Sequence, residues 1–116
     1  MDLGTEERRT AIEVIATLVY HLDPMAKLIL EPAGIPPEVY RPIMKLRHSV
    51  TGRKLYKREM APLILDAMAK RPDGSKVILE IIKIAASWSE DKFYLADKEE
   101  FKARAAVQKA RALLPN

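Results

Sequence analysis

The stretch Ser75 to Trp88, SKVILEIIKIAASW, limits the possible folds more than any other part of the chain. Its polar residues Lys76, Glu80, Lys83 and Ser87 recur at offsets of 4, 3 and 4, which traces one narrow stripe on an α-helix. Val77, Ile78, Leu79, Ile81, Ile82, Ile84, Ala85, Ala86 and Trp88 cover the rest of that surface. A helix apolar nearly all round belongs inside a domain, with neighbours on most sides. Ile and Val also favour strands. The run is too long for an ordinary strand, however, and its polar stripe has the helical period.

The other segments supply helices to surround it. Thr5 with Glu6 and Glu7 opens a first helix, Thr5 as cap and the carboxylates at the positive end of the dipole. Positions 11, 12, 15, 18, 19 and 22 give this helix one apolar face through Leu22, with His21 at its C-terminal end. Asp23-Pro24 reads as N-cap and first turn of a short helix from Met25 to about Leu30, ended by Glu31-Pro32. A weak helical segment follows Pro37 and is interrupted or restarted at Pro42, and His48 to Tyr56 reads as a loop turning at Thr51-Gly52.

A further helix starts near Lys57, with Met60, Leu63, Ile64, Ala67 and Met68 inward and Pro62 early enough to be tolerated. Arg71 to Gly74 is a turn, and Ser75 caps the central helix, which should lie antiparallel to the one before it. Residues 89–96 form a polar link that Phe93, Tyr94 and Leu95 can pin. Asp97 and Glu100 have the spacing of a capping box for a last helix, whose face is Ala103, Ala106, Val107, Ala110, Leu113 and Leu114, with Phe101 near its start. The expected fold is therefore all-α: a compact bundle of five or six short helices around a central buried helix at about 75–88, in one domain spanning 1–116.

Composition narrows the function. Apolar residues make up 48% of the chain, too many for disorder. Cysteine is absent, so disulfides and thiolate metal sites are excluded. Two lone histidines make no zinc set, and no phosphate-binding glycine loop or nucleophile turn occurs, so neither a cofactor nor a metal is implied. The acidic start and the lack of a long apolar run fit no signal peptide or membrane span, and the expected location is the cytoplasm. An end at Leu114-Pro115-Asn116, directly after a helical pattern, fits a short protein and equally the N-terminal module of a longer one.

Charge is the main functional signal. Residues 39–58 contain Arg41, Lys45, Arg47, Arg53, Lys54, Lys57 and Arg58 and no acidic residue. The chain's formal +4 less this segment's +7 leaves −3 for the remainder, so the charge is segregated. Such a field attracts phosphates or an acidic protein surface, although basic residues also simply solvate loops. Arg53, Lys54, Lys57 and Arg58 read as exposed. Glu90, Asp91, Asp97, Glu99 and Glu100 form an acidic counterpart, which permits head-to-tail self-association. Aromatic interleaving in the basic segment is limited to Tyr40 and Tyr56, fewer than a single-strand stacking platform needs. A protein partner or self-association is the preferred reading, and nucleic-acid binding through 41–58 is the alternative.

Two resemblances carry further expectations. Arg41 and His48, with six residues between them, resemble the active-site motif of the all-helical HEPN ribonucleases, although Pro42 stands where that family tends to have a polar residue. The segment Leu30-Glu31-Pro32-Ala33-Gly34-Ile35-Pro36-Pro37-Glu38-Val39, with the Asp73-Gly74 junction, resembles the effector-associated and death-like helical adaptor domains of prokaryotic defence proteins. In those, a first helix pair leads into an Ala-Gly-Ile/Leu-Pro turn, and further short helices and a final helix follow. The likeness extends in layout from about Thr10 to Leu114. It implies a non-catalytic adaptor that binds like domains while an effector or sensor lies elsewhere on a longer chain.

Overall fold

The computed structural model describes residues 4–72 and 74–115, and within them the fold is all-helical. Six α-helices follow in order: α1 Thr5–Thr17, α2 Leu22–Met25, α3 Pro37–Met44, α4 Lys57–Ala69, α5 Val77–Ala86 and α6 Glu100–Leu113. A π-type turn, Ala26–Leu30, extends α2, and a run of 3-10 turns, Glu90–Glu99, joins α5 to α6. The expected all-α bundle in a single compact body is what the chain forms. No helix among the described residues is long and apolar enough to cross a membrane.

The core is shared between two helices. Val77, Ile81, Ile82 and Ala85 of α5 are buried, but Leu79 is 37% exposed, so this helix is covered on fewer sides than its composition suggests. α1 completes the centre: Ala11, Val14, Ile15 and Leu18 are all 0% exposed, and α1 packs on α4, α5 and α6. The alanines Ala103, Ala106 and Ala110 let α6 approach both. α5 packs mainly on α1 and α6 and only lightly on α4, the helix that precedes it in sequence.

Several boundaries differ from expectation for local reasons. Gly4, not Thr5, is the N-cap of α1, and its N–H donates to Glu7 Oε2 at 3.2 Å. α1 ends at Thr17 rather than Leu22, where the Thr17 hydroxyl donates back to the Glu13 carbonyl at 2.6 Å, a bond that competes with the helix ladder. Leu18 and Val19 stay buried beyond that end, and His21 becomes the extended N-cap of α2, a role expected for Asp23. Glu31 keeps helical angles (φ −65°, ψ −45°) despite preceding proline. The chain instead widens into the π turn, where Glu31 N–H donates to the Ala26 carbonyl. The widening gives room to the ring of Pro32, which lacks an N–H and would crowd a regular turn.

Pro42 does not interrupt α3, and Pro62 lies within α4. α4 turns Ala61 and Leu65 inward with Met60, Ile64 and Met68, while Leu63 is 41% exposed. α5 begins at Val77 after a 3-10 turn, with Lys76 as N-cap, and Arg111 of α6 donates to the Ala86 and Trp88 carbonyls at its other end. Asp73 and the side chain of Ser75, expected in the turn and the cap, lie outside the described residues. Asp97 has φ 53° and ψ −127° and is not a cap; Glu99 is the N-cap of α6. Phe93 pins the link, whereas Tyr94 is 75% and Phe101 72% exposed.

Two substitutions check this packing. A Cβ on Gly74 would stand 1.5 Å from the Met68 carbonyl oxygen, and that oxygen belongs to backbone that cannot rotate aside. Gly74→Ala is expected to lower the unfolding free energy by about 1–3 kcal/mol in a denaturant titration. Ile81→Asp buries an unpaired carboxylate at a site that is 0% exposed, a penalty comparable to a domain's entire ~5–15 kcal/mol. Loss of the cooperative thermal transition is the expected outcome.

Candidate interaction surface

The seven basic residues of 41–58 fall into two sets with different work. Arg53 donates twice to Glu59, at 2.8 and 3.0 Å, and its guanidinium lies 4.1 Å from the Tyr56 ring centroid. Glu59 also accepts the Tyr56 N–H at 2.7 Å and so closes the N-terminus of α4. These bonds hold the Glu59 carboxyl down at about 2, against an ordinary 4.5; the Arg53 hydrogen bonds are the largest cause and the Tyr56 N–H is next.

Lys57 reaches back to the end of α1. Its Nζ donates to the Val19 and Tyr20 carbonyls at 2.7 and 2.8 Å and lies 5.2 Å from the Tyr20 ring centroid. Burial pushes its pKa down, and nearby Glu99 opposes the shift. Arg58 pairs with Glu13 of α1. Arg53, Lys57 and Arg58 thus join parts of the fold; Arg53 and Lys57 are half-buried, contrary to expectation, whereas Arg58 is exposed as expected but paired. They line a cleft of about 410 Å³ together with Tyr20, Tyr56, Glu59, Glu99 and Lys102. Basic and acidic segments therefore meet in one cleft.

The second set is Arg41, Lys45, Arg47 and Lys54. All four are exposed, and none has a carboxylate partner among the described residues. Arg41 and Lys45 lie one helical turn apart at the end of α3, which places them on one face. The chain then forms a small hairpin-like loop. Arg47 and Lys54 pair as an isolated antiparallel bridge, and His48 N–H donates to the Arg53 carbonyl at 2.8 Å. Gly52 takes φ 72° at the turn, a value that favours glycine. Directly opposed residues of such a pair project to the same side, so two cations face each other there at a cost to stability. Between and beside them, Leu46 is 46% and Val50 85% exposed.

His48 belongs to the loop's own architecture. Its Nδ1 accepts the N–H groups of Val50 and Thr51, each at 3.3 Å, and no hydrogen bond joins it to Arg41 among the described residues. The ring is thereby committed to shaping the turn. Among the described residues, no group of three or more His, Cys, Asp or Glu is placed to hold a metal ion.

The acidic counterpart is largely neutralised within the molecule. Arg104 binds Glu90 at 2.6 Å and Glu100 at 3.1 Å and lies over the Phe93 ring at 4.3 Å, so one residue staples the 90–99 link to α6. Both carboxylates raise the Arg104 pKa, and Arg104 lowers that of Glu90. Glu99 meets Lys102 at 3.3 Å. Asp91 and Asp97 remain exposed without a basic partner among the described residues. Sequence reading missed Arg104: its i, i+4 spacing from Glu100 was the available signal, while no local pattern points to its pairing with Glu90, fourteen residues earlier.

Fold and surface together define a small all-helical body in which Arg41, Lys45, Arg47 and Lys54, four cations without a carboxylate partner among the described residues, fall on one loop and the helix end beside it; Lys27, Lys70, Arg71, Lys76, Lys92, Lys98 and Lys109 lack one as well, at scattered positions. No protein-family model matches the chain, no curated protein matches it, and no solved structure matches it.

The Glu59 carboxyl has a folded pKa below its ordinary value, so its pairing stabilises the fold fully above about pH 4.5 and less as pH falls toward 2. Thermal melts of the wild-type protein are expected to fall across that window. Glu59→Gln should flatten part of the fall and lower the melting temperature at pH 7. Lys57→Glu should destabilise strongly, because it sets a carboxylate against two carbonyl oxygens. Chemical denaturation of that variant beside Lys54→Glu, expected within about 0.5 kcal/mol of wild type, separates the two sets of cations.

Proposed function

We propose that the chain is a non-catalytic interaction module that engages an acidic protein surface through Arg41, Lys45, Arg47 and Lys54 around Leu46 and Val50. One observation carries this reading: cations without a carboxylate partner among the described residues, two of them opposed across a bridge, lie next to exposed aliphatic residues in the chain. A protein interface combines an apolar centre with a charged rim that steers the partner and sets its register. Exposed aliphatic residues beside the cations, Leu46 and Val50, add nothing to phosphate binding. The resemblance of the Ala33–Pro37 turn to defence adaptor domains supplies a setting, in which the partner is a matching domain of a defence protein. Internal pairing of Glu90, Glu99 and Glu100 shifts support from self-association toward a separate acidic partner.

Nucleic-acid binding through the same cations is the second reading, favoured by their lack of carboxylate partners among the described residues. The two separate by salt dependence. A site that neutralises phosphates loses affinity with a log–log slope of about −0.9 per phosphate on duplex DNA. The wild-type protein is expected to bind duplex DNA or RNA no tighter than roughly 10⁻⁶ M at physiological salt, the ordinary non-specific range. The joint variant Arg41→Glu, Lys45→Glu, Arg47→Glu and Lys54→Glu should keep its circular dichroism spectrum and lose capture of an acidic partner, with polyglutamate as the probe. Nanomolar, sequence-dependent nucleic-acid binding erased by these changes would replace the protein reading. RNA cleavage abolished by His48→Ala would replace both with a ribonuclease; no cleavage is expected.

A further inference from the structure

A second cavity, of about 340 Å³, shares no residue with the basic loop. It is lined by Val19, Tyr20, His21, Pro24, Tyr94, Leu95 and Asp97, which come from the α1–α2 joint and the 90–99 link. The two segments are tied at this point by the Tyr20 N–H donating to the Leu95 carbonyl at 2.8 Å.

Three features of the lining are unusual for a structural surface. Its aromatic residues are exposed: Tyr20 is 48% and Tyr94 75% accessible, and His21 is exposed as well. The Tyr20 and His21 rings stand edge-on, 5.0 Å between centroids at 86°, and so make two walls of a corner. Asp97, the one carboxylate of the lining, has no basic partner among the described residues and sits at φ 53°, ψ −127°. That ψ lies far from the left-handed helical region that Asp tolerates, so an L side chain is strained there and glycine would be at ease. A strained carboxylate kept beside exposed aromatic rings is the pattern expected where local stability is given up for binding.

We propose that this cavity is an aromatic cage for a methylated ammonium group, a choline-type amine or a trimethylated lysine side chain. The π face of tyrosine attracts a cation, and the methyl groups of that cation fill an apolar corner without demanding hydrogen bonds. Val19, Pro24 and Leu95 provide the apolar contact, and the Asp97 carboxylate supplies the counter-charge. Tyr20 already takes a cation on its ring, since Lys57 Nζ lies 5.2 Å from the centroid; Lys57 lines the basic cleft and not this cavity.

The test is a titration of the full chain followed by amide and aromatic NMR shifts, with choline, Nε-trimethyllysine, unmodified lysine and 3,3-dimethylbutanol, the neutral isostere of choline. Choline and trimethyllysine should shift Tyr20, Tyr94 and Asp97. Lysine and the neutral isostere should bind about tenfold more weakly or not at all. Tighter binding of trimethyllysine than of choline would assign the source to a modified polypeptide, and the reverse order to a small amine. Tyr94→Ala should weaken binding of both. Asp97→Gly is the decisive variant: it should raise the melting temperature by relieving the backbone, yet weaken cation binding about tenfold. Equal binding of choline and its neutral isostere, unchanged affinity in Asp97→Gly, or no shift with either methylated amine would overturn the proposal.

Discussion

The Lys57 ammonium, held on the Val19 and Tyr20 carbonyls, is the joint on which the arrangement of this molecule depends. α1 stops at Thr17, and the residues after it leave the helix while Leu18 and Val19 remain in the core. Backbone carbonyls freed at such a point need donors, and Lys57 supplies two of its three N–H groups from the first turn of α4. The Tyr20 N–H, turned the other way, takes the Leu95 carbonyl. One break in one helix is thereby fastened to α4 on one side and to the 90–99 link on the other.

Electrostatics then sorts the charges by whether the fold needs them. Arg53 with Glu59, Arg58 with Glu13, and Arg104 with Glu90 and Glu100 each bridge separate parts of the chain or close a helix start. Exposed pairs of this kind contribute little energy individually, but they fix which segments lie together. Within the basic stretch 41–58, the cations left without a carboxylate or carbonyl partner for their side chains among the described residues are Arg41 and Lys45 at the end of α3 and Arg47 and Lys54 on the bridge loop. Pairing of Arg53, Lys57 and Arg58 thus narrows that stretch to four outward charges.

The same joint explains why two cavities lie around Tyr20. Its ring separates the Lys57 cleft from the corner formed with His21, Tyr94 and Asp97. Glu99 lines the first and Asp97 the second, so the short link after α5 serves both while carrying the backbone strain at Asp97. A link rather than a helix bears that strain because a break in a run of 3-10 turns disrupts fewer hydrogen bonds than a break in an α-helix.

The sequence by itself determined the helical class, the approximate placement of α4 to α6 and the alanine face of α6, because these depend on periodicity and on composition within each segment; it put Leu63 on the inner face of α4, where Ala61 and Leu65 are buried instead. Ile81, Ile82 and Ala85 had to face inward whatever their neighbours were. It also located the basic segment. What it could not determine was which of Arg53, Lys54, Lys57 and Arg58 would be free, since that depends on Glu13, Glu59 and the Val19 and Tyr20 carbonyls of the α1–α2 joint. Nor could it show that Glu90 and Glu100 would share Arg104, or that Tyr20, His21, Tyr94 and Asp97 would line one cavity. Their partners are more than a few residues away in most of these cases, and no local pattern encodes a contact between segments that only packing brings together. Tertiary structure decided the division between charges that build the fold and charges that face outward, because a side chain is free only after every nearby partner has been placed.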